Sequence, residues 1–346
     1  MFNRKLFAPI LIIFFVNCRT DVVQTKAEFV PNNKVQNIKM LNVLAPKNYQ
    51  QKPPEGKELA NDAYYLNLYA RQFVRGDMIY LELLPRDKSK FGGSPQISVN
   101  GTILRLKKSS WGYRGYFAIH PENENRKVDI ELKLVIDGFP RKELHTFTLD
   151  EKKFPESKSA LDIGKFSRTD IPIDIKLQNR IIREYKEKVN IFKLDNPDMI
   201  TKVLAYPRDI HMLTSPFYEK RIIERYEIKN GQKVAQKPGI SYHGGLDFYA
   251  RLGDPVFSMA SGKVVLADDL YYEGNCVMID HGSRVLSVFM HLSKMAVKPG
   301  QTVKAGELLG YAGSTGMSTG PHLHISLYIN QIPADPLSLL FLPIRD

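Results

Sequence analysis

The sequence predicts a mainly β protein: an N-terminal β-sandwich-like domain, a helical connector and a second, C-terminal β domain. Three observations carry that prediction. Short apolar runs separated by turn signals fill residues 59–150, the apolar period turns helical between residues 174 and 206, and beyond Gly239 glycines again punctuate short β-type runs. The length of 346 residues exceeds one ordinary compact core and suits two folded units with a tail. With 43% hydrophobic and 25% charged residues, the composition excludes a disordered chain and a multi-spanning one.

The first element is an address. Arg4 and Lys5 precede an apolar stretch of eleven residues, Leu6 to Val16. As a helix it would measure about 16 Å, short of the ~30 Å hydrocarbon core but suited to the centre of a secretion signal. Phe15-Val16-Asn17-Cys18 resembles a loose lipobox of bacterial lipoproteins, with Asn17 where glycine or alanine is usual. Residues 1–18 are therefore expected to be a lipoprotein-like signal, with Cys18 as a lipidated anchor to a membrane outside the cytoplasm. Residues 19–58 are polar, contain Lys52-Pro53-Pro54-Glu55-Gly56 and read as a flexible tether.

Residues 59–150 hold the sandwich-like unit. Met78–Leu84 is one strand, and Gln96–Val99 and Thr102–Leu106 flank Asn100-Gly101, a hairpin signal because both central positions of a type I′ turn need positive φ. Tyr113–Ile119 and Val128–Ile136 continue the series, the latter alternating at Val128, Ile130, Leu132 and Leu134. No cluster of catalytic residue types falls here, so the unit reads as a spacer or binding module. Residues 151–206 form the connector, in which Leu177, Ile181, Ile182, Tyr185 and Val189 mark one helical face with charges opposite. Residues 207–346 are the second domain.

Charge and cysteine narrow the function classes. From residue 236 onward there are 8 Lys+Arg against 9 Asp+Glu, and the first 235 residues carry 41 against 28. No Lys/Arg run interleaved with aromatics accompanies that basic excess, which argues against nucleic acid and suits an anionic membrane or wall polymer. Two cysteines make no disulfide framework, and Cys276, in the run Cys276-Val277-Met278-Ile279, reads as a packing residue.

The chemistry lies in the last third. Five of the eight histidines, His243, His281, His291, His322 and His324, fall there. In His243-Gly244-Gly245-Leu246-Asp247 an extended chain would hold the end residues about 13 Å apart, too far to share one ion, and two glycines allow the backbone to bend. A glycine turn beside a buried histidine would look the same. In Gly320-Pro321-His322-Leu323-His324-Ile325-Ser326-Leu327 the alternation makes a strand, with both histidines on one face. Spacing does not say whether both bind an ion or one binds while the other acts on water. His291, in Phe289-Met290-His291-Leu292, would pass for a structural histidine at a strand end.

From Leu213 to Pro336 the chain resembles the lysostaphin-type or LytM-type zinc metallopeptidases. Thr214-Ser215-Pro216-Phe217, His243-x-x-x-Asp247, Ala260-Ser261-Gly262-Lys263-Val264-Val265, Gly274-Asn275, Ile279-Asp280-His281-Gly282, His291-Leu292 and Gly313 to His324 follow in that family's order. The resemblance implies an antiparallel-β peptidase domain holding one Zn2+ on His243, Asp247 and His324, with His291 and His322 as the catalytic pair and His281 structural. Three protein ligands leave a fourth position for water, as in a catalytic zinc site. The implied activity is endopeptidase cleavage of peptidoglycan stem peptides or cross-links in the cell envelope; the rival expectation is an inactive relative that binds wall or activates another hydrolase. Tyr218-Glu219-Lys220 and the insertion-like stretch Glu224–Gln236 depart from the family's pattern and are expected to alter groove walls.

Overall fold

A computed structural model describes residues 53–162, 175–235 and 237–346. The signal-like stretch with Cys18, and residues 19–52 of the expected tether, lie outside the described residues. Among the described residues no helix is long and apolar enough to cross a membrane.

The chain is mainly β, and the first strand starts earlier than expected. Glu55–Ala60 pairs antiparallel with Tyr64–Ala70, so ordered structure begins just after Pro53-Pro54, inside the stretch expected as tether. Proline removes a ladder donor, and the strand forms as soon as prolines end. This pair continues through Met78–Pro85 and Gly112–Ala118 to Lys107–Ser109 as one five-stranded sheet. A second sheet joins Thr102–Ile103, Phe91–Val99, Lys127–Ile136 and Phe139–Thr148. Asn100 and Gly101 take φ of 48° and 81°, the backbone that the hairpin signal demanded.

Met78–Pro85 shows why its run is apolar without alternation. Ile79, Leu81 and Leu83 face the core shared with Leu66, Ile97 and Leu132 of the sandwich. Met78 and Tyr80 face the other way and join Phe217, Leu246 and Phe248 of the C-terminal core. A strand buried on both faces has no solvent side to make polar. The two units therefore share packing across this sheet. A buried ion pair reinforces the junction: Arg114 Nε donates to Asp198 Oδ2 at 2.8 Å, and Arg114 Nη2 donates to the Ile200 carbonyl at 2.5 Å.

The connector helix spans Ile175–Ile191. Its buried side chains are Glu184, Lys188 and Ile191, whereas Ile182 is exposed and the rest of the expected apolar stripe is only half-buried. The helix is thus turned away from the face its apolar period marked. Ion pairs with the neighbouring hairpin, described below, hold the charged residues inward.

In the C-terminal domain the strands Leu213–Ser215, Leu246–Tyr249, His322–Ile329, Val285–Met295, Gly274–Asp280 and Gly262–Leu270 lie side by side, all antiparallel. The insertion-like stretch is a hairpin of Lys220–Lys229 with Gln232–Ala235, paired in parallel with Glu156–Asp162. Cys276 is fully buried among Leu266, Met278 and Val288.

Candidate active site

Register brings the first ligands together. Asp247 and His324 sit directly opposite each other in the antiparallel pair Leu246–Tyr249 and His322–Ile329, and Tyr249 faces His322. Period two then places His322, His324, Ser326 and Tyr328 on one face and Leu323, Ile325 and Leu327 in the core. His243 precedes that strand and swings in above Asp247.

The chain bends at Gly245, between His243 and the strand that carries Asp247. Neither Gly244 nor Gly245 takes a positive φ. A Cβ on Gly245 would stand 2.1 Å from the Ile325 carbonyl oxygen and 2.6 Å from His324 Nε2, so this glycine permits close approach of two strands. Gly244 has open space, with only the Tyr328 hydroxyl near, at 4.0 Å.

His243 Nε2 lies 3.1 Å from Asp247 Oδ1 and 3.0 Å from His324 Nδ1, and His324 Nδ1 lies 2.8 Å from Asp247 Oδ1. His243 Nδ1 donates to the Pro216 carbonyl at 2.9 Å, which leaves Nε2 as a bare lone pair. That lone pair, a carboxylate oxygen and the second imidazole nitrogen converge where at most one proton can sit among them. A cation satisfies all three. Two nitrogens and one oxygen, all buried or nearly so, are the donor set of a catalytic zinc site, and their separations approach the about 3.3 Å edge of a tetrahedron with ~2.0 Å bonds. The residues present fit the ion. On the outer side His324 Nε2 meets Ser326 Oγ at 2.9 Å, and Arg221 Nη2 stands 3.7 Å from Asp247 Oδ2. Both orient a ligand from behind.

Electrostatics agree with geometry. Burial alone would raise the Asp247 carboxyl, but the His243 and His324 rings facing it hold it well below the usual carboxylate range. Burial keeps His324 below its ordinary value despite Asp247 beside it. Both ligands are thus in their metal-binding, deprotonated forms.

The remaining two histidines stand alongside. The His291 and His322 rings are 5.0 Å apart, and His322 Nε2 is 3.7 Å from Asp247 Oδ1. His291 Nδ1 donates to the Thr315 carbonyl at 2.9 Å and His322 Nδ1 to the Gly320 carbonyl at 2.8 Å, so each ring keeps its Nε2 as a proton acceptor. Burial, then the neighbouring His324 and His322, push His291 down to about 3. Far from ending a strand, His291 lies within Val285–Met295 at φ +61°, a backbone strained for a residue with a Cβ. The kink breaks register between Asn275/Leu292 and Val277/Phe289 and turns the ring toward the site. His281 is elsewhere, fully buried between the Ser261 carbonyl and the Ser287 hydroxyl. The outer partners Pro216, Thr315 and Gly320 act through backbone carbonyls and so left no mark in residue types, whereas Ser326, two positions after His324 on the same strand face, could have been found.

Peptidase family M23 matches residues 241–336. The chain is 31% identical over 195 residues to the peptidoglycan DD-endopeptidase ShyB of Vibrio cholerae, covering 52% of this chain and 46% of that protein. It is 40% identical over 117 residues to ShyA of the same organism (34% and 27% covered). Lysostaphin of Staphylococcus simulans is 41% identical over 104 residues (28% and 21% covered). The chain thus spans less than half the length of these curated relatives. A crystal structure of an M23-type protein from Pseudomonas aeruginosa superposes with a TM-score of 0.51 at 26% identity, covering 77% of this chain and 94% of that one. The match over residues 241–336, on the strands that carry these histidines, places the C-terminal domain in peptidase family M23, of the lysostaphin/LytM type.

Proposed function

We propose that the protein is a zinc-dependent endopeptidase that hydrolyses peptide bonds in peptidoglycan stem peptides or cross-links. The observation that carries this reading is the convergence of His243, Asp247 and His324 on one point, with His291 and His322 beside it. When bound, the ion supplies Lewis acidity and a water acidified toward neutrality. His243, Asp247 and His324 hold the ion, and their partners Pro216 and Ser326 fix which nitrogen faces it. His291, kept neutral by burial, accepts a proton at Nε2 from the attacking water and passes it to the leaving amine. His322 orients the water by accepting one of its hydrogens at Nε2, the nitrogen its Nδ1–H to the Gly320 carbonyl leaves free. No Glu of an H-E-x-x-H motif is present to take the base role.

The relatives named above support peptidoglycan as substrate, and the signal-like pattern of residues 1–18 supports an envelope location with Cys18 as a lipid anchor. The test is loss of turbidity of purified sacculi by the full chain, abolished by chelator and restored by Zn2+. Intact sacculi at full metal loading would overturn the proposal.

A further inference from the structure

The connector helix presents Arg180, Glu184 and Lys188 at four-residue intervals, one stripe along its length. They meet alternate residues of one hairpin. Arg180 Nη2 donates to the Asp269 carbonyl at 2.6 Å and approaches its carboxylate at 3.1 Å. Glu184 Oε2 accepts from the Tyr271 N–H at 2.9 Å, and Lys188 pairs with the Glu273 carboxylate. A four-residue helical step rises about 6 Å, commensurate with two residues of extended chain at about 6.6 Å. Glu184 and Lys188 are only 4% and 6% exposed, an unusual place for charged side chains without a purpose.

The clamped turn, residues 271–273, reaches the catalytic histidine by two routes, one direct and one through the loop that holds Thr315. The Glu273 carbonyl accepts the His291 N–H at 2.9 Å, which holds the strained backbone. The Tyr272 carbonyl accepts the Met317 N–H at 2.8 Å, and Asn275 N–H donates to Thr315 Oγ1 at 2.9 Å. The hairpin thereby fixes the loop whose Thr315 carbonyl sets the His291 tautomer. Gly274 and Gly316 make the contact close: a Cβ on Gly316 would stand 2.2 Å from Gly274 N. Glu273 Oε2 is buried with no hydrogen-bond partner among the described residues, so Lys188 supplies its counter-charge.

We infer that Arg180, Glu184 and Lys188 are positioning residues for His291: the helix sets the aim and tautomer of that ring through the 271–273 turn. The inference rests on the reading of His291 as the proton acceptor. Lys188→Met, Lys188→Arg and the neutral pair Lys188→Met/Glu273→Gln, made in the full chain, test it. The first readout is independent of activity: long-range 1H–15N correlation of the histidine rings in the zinc-loaded protein. The wild type should show His291 as one Nδ1–H tautomer. Lys188→Met, or the neutral pair if that variant does not fold, should show two tautomers for His291 while His281 stays unchanged. The second readout is cleavage of cross-linked muropeptide dimers from sacculi, where kcat should fall about 10–100-fold with KM and zinc affinity held, and Lys188→Arg should restore it. A folded variant with an unaltered His291 ring, or with His281 disturbed equally, overturns the inference. A wild type that cuts no dimer, while Lys188→Met still shows the tautomer change, overturns the peptidase reading and leaves the positioning intact.

Discussion

Arg114 and Asp198 form an ion pair at 2.8 Å in which neither side chain is exposed, and it ties the sandwich sheet to the segment after the connector helix. The Tyr116 hydroxyl reaches the same carboxylate at 3.2 Å. Removing one partner strands the other charge in a dry interior. Arg114→Met should cost about 3–5 kcal/mol of unfolding free energy, read from urea denaturation, and Arg114→Met/Asp198→Leu should regain part of that loss.

Metal should act as a ligand of the folded state. Zn2+ at about 100 times its dissociation constant should stabilise the protein by about 2.7 kcal/mol, and chelator should remove that increment. Asp247→Asn should abolish the increment, because the Oδ1 toward which His243 and His324 converge loses its charge. Differential scanning calorimetry with and without metal measures both.

His291→Ala and His322→Ala should each retain stoichiometric zinc while peptide cleavage falls by about 10²–10⁴-fold. Metal analysis beside single-turnover cleavage separates these roles from ligation. An active His291→Ala protein would remove that residue from the chemistry.

Gly245→Ala should damage the site without replacing a ligand. The added Cβ meets the Ile325 backbone, which cannot give way as a side chain would. A loss of about 1–3 kcal/mol and weaker zinc binding are expected, with Gly244→Ala near wild type in both measurements.

The pH dependence of stability should report His281. Burial pushes its pKa down, so the folded state refuses a proton that the unfolded chain takes up with a pKa near 6.5. Stability therefore falls as pH drops from about 6.5 toward the depressed folded value and is unaffected above that window. His281→Gln should show a shallower acid loss than wild type between pH 7 and 5, whatever its stability at neutrality.

How much of this was legible before the fold was known differs by residue. His322 and His324 announced themselves through period two, and Asn100-Gly101 through turn chemistry. Asp247 was found with His243 through the two glycines: the chain does bend at Gly245, and that glycine serves close strand approach as well. His291 could not be aimed from sequence, since a kink at φ +61° is imposed by the turn it bonds to. The helix misled for a related cause. Its apolar period was real, yet Glu184 and Lys188 found partners 87 and 85 residues away, and long-range pairing outweighed the local pattern.

The sheet carrying Met78 and Tyr80 is sealed on both sides, by the sandwich core and by the peptidase core. Swinging the N-terminal unit aside would wet aromatic rings and break the Arg114 ion pair together. The strands that carry the histidines are thus backed by a frame that cannot shift without exposing its own core.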